Sequence, residues 1–557
     1  MKWSALAACL AVFASYGANA QTAGQLVKGA SDTSNVLNYG MGYNLQRFSP
    51  LTQINKDTAK NLVPVWSYSL ADDRSQESQP LVYEGIIYLT THAATMAIDA
   101  KTGKQIWKTK VEYPPETPRI VCCGINNRGA ALFDGKVFRT TLDANVIALD
   151  AKTGKELWRQ NAADVKEGYS MTVAPLVADG VVLTGISGAE FGIRGFIDGW
   201  DPETGNHLWR TYTIPSPDEP GGDSWKGDTW KHGGGSTWIT GSYDPELNTV
   251  YWGTGNPGPF DSAVRPGDNL YTCSVLALDP KTGKMKWHYQ FSPNNPFDFD
   301  AVAEMVLADM MVEGRPTKVL LDANRNGFFY VFDRTNGKLL AANPFVKVNW
   351  ASGIDMKTGR PIEADVTTDA REGKKVMVHP SWFAGAKNWS PMSFNPQTGL
   401  AYANTLSFGT YYKTRSVTYK AGAWYTGLDR SFSPFEFGDA PRGHLKAIDP
   451  MTGKAKWEVP SDIPRYSGVL STAGGVVFTG ELTGEFEAFD ADSGKKLWQF
   501  QTGSGIEGQP VTWQRDGVQY VAVTSGYGGA YSIFSGDERL ASVPTGGSLW
   551  VFAIRPQ

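Results

Sequence analysis

Cysteine is nearly missing from this chain: four residues in 557, at positions 9, 122, 123 and 273. No Cys-x-x-Cys-His motif is present, which excludes a c-type haem carried by the chain itself. Gly-x-Ser-x-Gly elbows and P-loops are absent, and the Gly-rich pieces do not assemble into a dinucleotide-binding βαβ unit. Hydrolysis from a nucleophile elbow and nicotinamide chemistry are therefore not legible. An excess of one charge is also missing: 52 Lys and Arg stand against 56 Asp and Glu, a net charge of −4. That balance argues against nucleic acid or an anionic membrane surface as partner. Beyond residue 20 no apolar run reaches the roughly 20 residues of a membrane span, so none is expected.

The first twenty residues read as a secretory signal peptide: Lys2, the apolar run "ALAACLAVFA", and "ANA" at 18–20. Cleavage after Ala20 discards Cys9 and places the mature chain, 21–557, in an oxidising compartment, the periplasm, where disulfides persist. The mature chain repeats one phrase. "AIDAKTGKQIW" (97–107), "ALDAKTGKELW" (148–158), "GWDPETGNHLW" (199–209), "ALDPKTGKMKW" (277–287), "AIDPMTGKAKW" (447–457) and "AFDADSGKKLW" (488–498) each run strand, Asp, turn, Gly, strand, Trp. "VFDRTNGKLL" (331–340) is a seventh copy without the Trp. Asp can hold the turn through its own backbone, Gly accepts the positive φ of a bulged hairpin, and Trp offers a large ring to the next unit. A period near 50 built of short strands predicts an all-β fold, one β-propeller of about eight blades. Residues 343–380 are weakly patterned and read as an insertion. "GSLWVFAI" (547–554) is a strand with no following partner, expected to complete a blade begun near the N-terminus.

Chemistry is sought in the loops between phrases. Glu190 follows the tight turn Ser187-Gly188-Ala189; a surface carboxylate is the alternative. Three glycines precede Ser236-Thr237-Trp238, and Asn256 sits in a Gly-Asn-Pro turn that could be an ordinary turn. Asp298 and Asp300 stand two apart. On a strand end both would point one way, and two close carboxylates call for a cation; an acidic loop in water is the alternative. Hard oxygen donors suit a highly charged, oxygen-seeking ion. Arg325, in the turn Asn-Arg-Asn-Gly, could hold a carboxylate or stabilise an oxyanion, or simply be exposed. Cys122 and Cys123 are adjacent. A bridge between them spans about 3.8 Å of Cα separation, below the usual disulfide range, and closes almost no loop. Such a ring reads as a flat lid at a site rather than a staple, and neighbours in sequence make poor zinc ligands.

In this order, "CCGINNRG", "SGAE", "GTGNP", "FDFD" and "NRNG" resemble the pyrroloquinoline quinone (PQQ)-dependent alcohol dehydrogenases of the methanol dehydrogenase type, over essentially the whole mature chain. The resemblance implies a propeller of eight blades with tryptophan docking. It implies a Cys122–Cys123 disulfide on one PQQ face and Trp238 on the other. Glu77, Arg128, Thr172, Ser187, Gly188, Ala189, Ser236, Arg325 and Asn388 are the implied cofactor shell. Glu190, Asn256, Asp298 and Asp300 are the implied metal ligands, with Asp298 as general base and Arg325 beside the quinone carbonyl. Asp300 occurs in lanthanide-dependent relatives, where calcium-dependent ones carry a small uncharged residue; one lanthanide ion is expected, with Ca2+ as the alternative. The implied reaction is oxidation of a primary alcohol to an aldehyde, with electrons passed to a periplasmic cytochrome c. A homodimer follows by family likeness. The competing readings are a calcium- and PQQ-dependent sugar or polyol dehydrogenase and a non-enzymatic propeller scaffold. Several positions depart from the family: Phe297, Asn294 and Asn295 near the base, Phe260 where a Trp is common, and Tyr466 near where a Trp lies over PQQ. Phe260 favours alcohols larger than methanol. Cys273 reads as a buried free thiol.

Overall fold

The computed structural model describes residues 21–429 and 441–555; the expected leader lies outside them. Eight sheets form the blades of one propeller, seven of them four-stranded and antiparallel and one carrying a fifth short strand, Phe48–Ser49, parallel to Leu470–Thr472. The first is Leu81–Tyr83, Ile86–Thr90, Ala94–Asp99 and Gln105–Lys110. In the blades built from consecutive strands the first strand is innermost and the last is outermost with exposed positions, as Leu81–Tyr83 and Gln105–Lys110 show. The eighth blade is made from both chain ends. Leu62–Ser69 pairs antiparallel with Ser548–Ile554, so the strand that lacked a following partner finds it near the N-terminus.

The repeated phrase is the joint between blades. Asp99 Oδ1 accepts the backbone N–H groups of Lys101 and Thr102 at 3.1 and 2.8 Å, and Asp150 repeats this with Lys152 and Thr153. Each phrase Trp then crosses to the next turn. The indole N–H groups of Trp107, Trp158, Trp209, Trp457 and Trp498 donate to the carbonyls of Ala151, Pro202, Pro280, Ala491 and Leu62 at 2.9–3.2 Å. Gly154, at φ 70°, lies under the Trp107 ring; a Cβ there would stand 2.4 Å from it. The turn glycine thus serves two constraints, a left-handed backbone and a docked indole. Trp66, outside the phrases, makes the same contact from the eighth blade to Ala100. The phrase without a Trp marks the one different joint: Asn343 Nδ2 donates to Met451 O at 2.8 Å instead.

The insertion expected over 343–380 starts two residues later: Lys338–Pro344 is the outer strand of a regular blade, and 345–380 stand outside the blades. They form a hairpin (Ala351–Ile354 with Pro361–Glu363), a helix (Asp365–Arg371) and a strand (Val376–Val378) paired with Thr410–Tyr412. The N-terminal segment crosses the inner strands. Val36 pairs with Val82, and the carbonyls of Tyr43, Asn44, Gln46 and Arg47 accept from Tyr243, Leu307, Phe394 and Ser471. Those partners belong to five blades, so the segment closes the centre of the ring.

Replacing Trp107 by Ala is expected to cost about 3–5 kcal/mol of stability, as for other buried aromatic truncations. Gly154→Val is expected to destabilise as well, through both backbone strain and collision with the indole; urea unfolding of the purified protein measures each.

Candidate active site

Every chemically suspect residue precedes an innermost strand or follows a second strand. Glu77 precedes Leu81–Tyr83, Arg128 precedes Ala131–Phe133, and Glu190 and Arg325 follow Val181–Gly185 and Arg315–Ala323. Because these strands are antiparallel, all such loops meet at one end of the ring, opposite the tryptophan turns. There they enclose a cavity of about 310 Å³. Glu77, Cys122, Cys123, Arg128, Thr172, Ser187, Gly188, Glu190, Ser236, Trp238, Asp298, Asp300, Arg325 and Asn388 line it. Ala189 and Asn256 do not: Ala189 opens the 3₁₀ turn Ala189–Phe191, and Asn256 is buried behind Asp300.

One side of the cavity is built around Arg128. Its guanidinium lies 2.7 Å from Glu77 Oε2, donates to Thr172 Oγ1 at 2.5 Å, and covers the Trp238 and Trp389 rings at 4.7 and 5.1 Å. Thr172 and Ser187 hydroxyls are 3.4 Å apart. Asn388 donates to Ala384 O and accepts from Trp389 N–H. Gly188, at φ 125°, admits no side chain, since a Cβ would meet Gly168 O at 2.2 Å. Cys122 and Cys123 are joined to one another. The Glu190 carboxylate comes within 4.8 Å of both sulfurs, but a disulfide has no thiolate to offer a metal, so the three do not form a cation site.

Acidic residues dominate the other side. Asp298 and Asp300 lie in an extended loop, not at a strand end, yet both reach one guanidinium. Arg325 Nη2 donates to Asp298 Oδ2 and Nη1 to Asp300 Oδ2, each at 2.8 Å. Arg325 is buried, and a third bond to Phe383 O fixes it. Asp300 also receives the Trp238 indole N–H at 3.2 Å and the Asn256 N–H at 2.5 Å. Burial, reinforced by Asp300, pushes the Glu190 carboxyl up to about 7. Burial raises Asp298 well above the carboxylate range and raises Asp300, with Arg325 opposing in both. Three carboxyls and one guanidinium leave negative charge unbalanced when all are ionised. Asp298 Oδ1 and Asn256 Oδ1 are buried oxygens with no hydrogen-bond partner. An oxygen-only donor set with orphaned acceptors fits a hard cation.

Sequence reasoning missed most of the aromatic wall: Trp382, Phe383, Trp389, Tyr411, Trp424 and Phe534. A signal existed for three of them. Trp382, Trp389 and Trp424 lie outside the docking phrase, so the repeat does not account for their rings. Phe260 lines the cavity edge-on to Trp382 at 6.0 Å, and Tyr466 lines it beside Tyr531. Cys273 is a buried free thiol, as expected.

This propeller, with a disulfide, a guanidinium-linked acid pair and an aromatic wall at one end, is the architecture of a quinoprotein dehydrogenase. Residues 37–349 and 360–521 match the family described as the PQQ glucose/ethanol/alcohol dehydrogenase β-propeller domain, and the chain belongs to the PQQ-dependent alcohol dehydrogenase family. It is 41% identical to the quinoprotein alcohol dehydrogenase PedH of Pseudomonas putida, over 96% of this chain and 93% of that protein. It is 43% identical to a quinoprotein ethanol dehydrogenase of Pseudomonas putida, covering 94% and 91%. With the 1-butanol dehydrogenase (quinone) of Thauera butanivorans it shares 41%, covering 94% and 92%. A europium-containing methanol dehydrogenase superposes with a TM-score of 0.90 at 37% identity, covering 95% of this chain and all of that one. These findings place PQQ-dependent alcohol oxidation ahead of a scaffold role. No helix among the described residues is long and apolar enough to cross a membrane.

Arg325→Met removes the cation shared by two buried carboxyls. It is expected to lower stability by about 3–5 kcal/mol, the usual cost of breaking a buried ion pair from one side. Arg325→Lys is expected to rescue only part, since one ammonium cannot reproduce the fork that reaches both; denaturant titration distinguishes the two.

Proposed function

We propose that the protein is a periplasmic dehydrogenase that oxidises primary alcohols to aldehydes with PQQ and a lanthanide ion and hands electrons to a separate cytochrome c. The observation that carries this reading is the cluster of Glu190, Asp298 and Asp300 around one guanidinium, with Asp298 Oδ1 and Asn256 Oδ1 left unpartnered. Glu190, Asn256, Asp298 and Asp300 would hold the ion. Three carboxylates favour a trivalent ion over Ca2+, the alternative, and the europium named for a structural neighbour supports this. Glu77, Arg128, Thr172, Ser187, Ser236 and Asn388 would hold the cofactor's polar edge between Trp238 and the Cys122–Cys123 disulfide.

PQQ, when bound, would supply the hydride acceptor, and the ion would supply Lewis acidity. Asp298 would take the alcohol proton, while Arg325 holds its Oδ2 and fixes the carboxyl's orientation. Phe260, Trp382 and Phe383 exclude water and receive the alkyl chain. That apolar wall supports simple alcohols over sugars and polyols, and alcohols larger than methanol; the names of the ethanol and 1-butanol relatives agree. The lack of a haem-attachment motif in the chain supports an external cytochrome as acceptor.

Protein reconstituted with PQQ and either lanthanum or calcium is expected to oxidise ethanol and 1-butanol faster with lanthanum. Asp300→Ala is expected to lower lanthanum-dependent kcat/KM by about 10–100-fold. Unchanged lanthanum-dependent activity in that variant would remove the lanthanide assignment, and a methanol optimum across the alcohol series would remove the size preference.

A further inference from the structure

Glu507 does not line the cavity, yet it stands one hydroxyl away from a residue that does. Ser75 Oγ lies 3.2 Å from Glu77 Oε1 and is hydrogen-bonded to Glu507 Oε2. All three side chains are buried. A serine hydroxyl has one proton and can donate to one carboxylate. The second contact is completed only by a proton on a carboxyl. Charge points to the same count. Arg128 is the cation facing the pair, and it bonds Glu77 directly. Asn126 Nδ2 adds a second donor to Glu77 at 3.1 Å. The other titratable groups near Glu507 are the phenols of Tyr466 and Tyr527, which bring no positive charge. On its far side Glu507 meets backbone: a Cβ at Gly529 would stand 2.8 Å from Oε1. One guanidinium balances one carboxylate, and Glu77 has it. Burial raises both carboxyls; in Glu77 the Arg128 guanidinium and the Ser75 hydroxyl oppose the rise, whereas Glu507, which also faces the Glu77 charge, is pushed well above the usual range.

We propose that Glu507 is a protonated positioning residue that donates to Ser75, which donates to Glu77, fixing Glu77 as an oriented anion in the cofactor wall. Its purpose rests on the PQQ reading of the cavity; the proton count does not. The relay is intact below the raised pKa of Glu507 and is lost as pH rises through it, when two anions would share one hydroxyl. Relative to the unfolded chain, Glu507 therefore costs stability progressively as pH rises from the ordinary carboxyl range towards that pKa.

Infrared difference spectra of the cofactor-free protein test where the proton lies. Glu190 and Asp298 contribute protonated-carboxyl bands to both proteins, so the wild-type spectrum is read against that of Glu507→Gln: the difference is expected to hold one protonated-carboxyl component that shifts in D2O at neutral pH. A difference spectrum without that component, or one with a carboxylate component in its place, overturns the proposal. Titration with PQQ tests the positioning. Glu507→Gln keeps a neutral donor and is expected to bind PQQ like the wild type without its alkaline loss. Glu507→Leu and Ser75→Ala are each expected to weaken binding about tenfold, the value of one hydrogen bond to a charged group, and to do so non-additively when combined. Wild-type affinity in Ser75→Ala overturns the positioning role even where the leucine variant fails to fold. A wild-type protein that binds no PQQ would sink the cofactor reading while leaving the infrared result to stand on its own.

Discussion

Everything at the site depends on the closure of a ring. Six of the eight joints set an indole over a turn glycine, Trp498 and Asn343 bridge the other two, and the last strand of the chain pairs with Leu62–Ser69. With every sheet held to two neighbours, the loops at the far end have no freedom to splay. Single indole bonds are worth little each. Repeated around a closed ring, they fix one geometry, because loosening one joint requires moving the rest.

That rigidity is what allows the acid cluster to exist. Burying carboxyls such as Glu190, Asp298 and Asp300 is unfavourable unless charge and hydrogen bonds are supplied. Arg325 supplies part, and it holds its place because Asp298 and Asp300 restrain it from one loop and Phe383 O from another. The same tension recurs across the cavity, where Arg128 serves Glu77 while Glu507 lies beyond its direct reach. A flexible scaffold would relieve both strains by letting water in; this one keeps the charge concentrated where a cation and a polar cofactor edge would neutralise it.

The propeller was largely legible in sequence because its determinants are local. Asp, Gly and Trp lie within eleven residues of each other, and their spacing states the hairpin. The joint without a Trp was visible too, although nothing nearby in sequence marked Asn343 as its replacement. Trp66 escaped notice since its strand enters the eighth blade from the opposite end of the chain. For the site, individual residues could be named as departures from the repeat, but their relations could not. Asp298 and Asp300 converge through a bent loop and not through strand alternation. Asn256 contributes a backbone N–H to Asp300 and stays outside the cavity lining. Ser75 and Glu507 are 432 residues apart and share no motif; only the fold brings them together.

The segment that runs from Val36 to Arg47 gives the cavity a floor. Arg47 reaches up from it to Gln79 and Gln509, and Gln509 in turn holds the carbonyl of Glu77. Among the described residues the propeller is thus a blind well rather than a tube. Reactant and product would then share the loop end, so turnover becomes a matter of traffic: the oxidised molecule would back out past the aromatic sill before its successor enters.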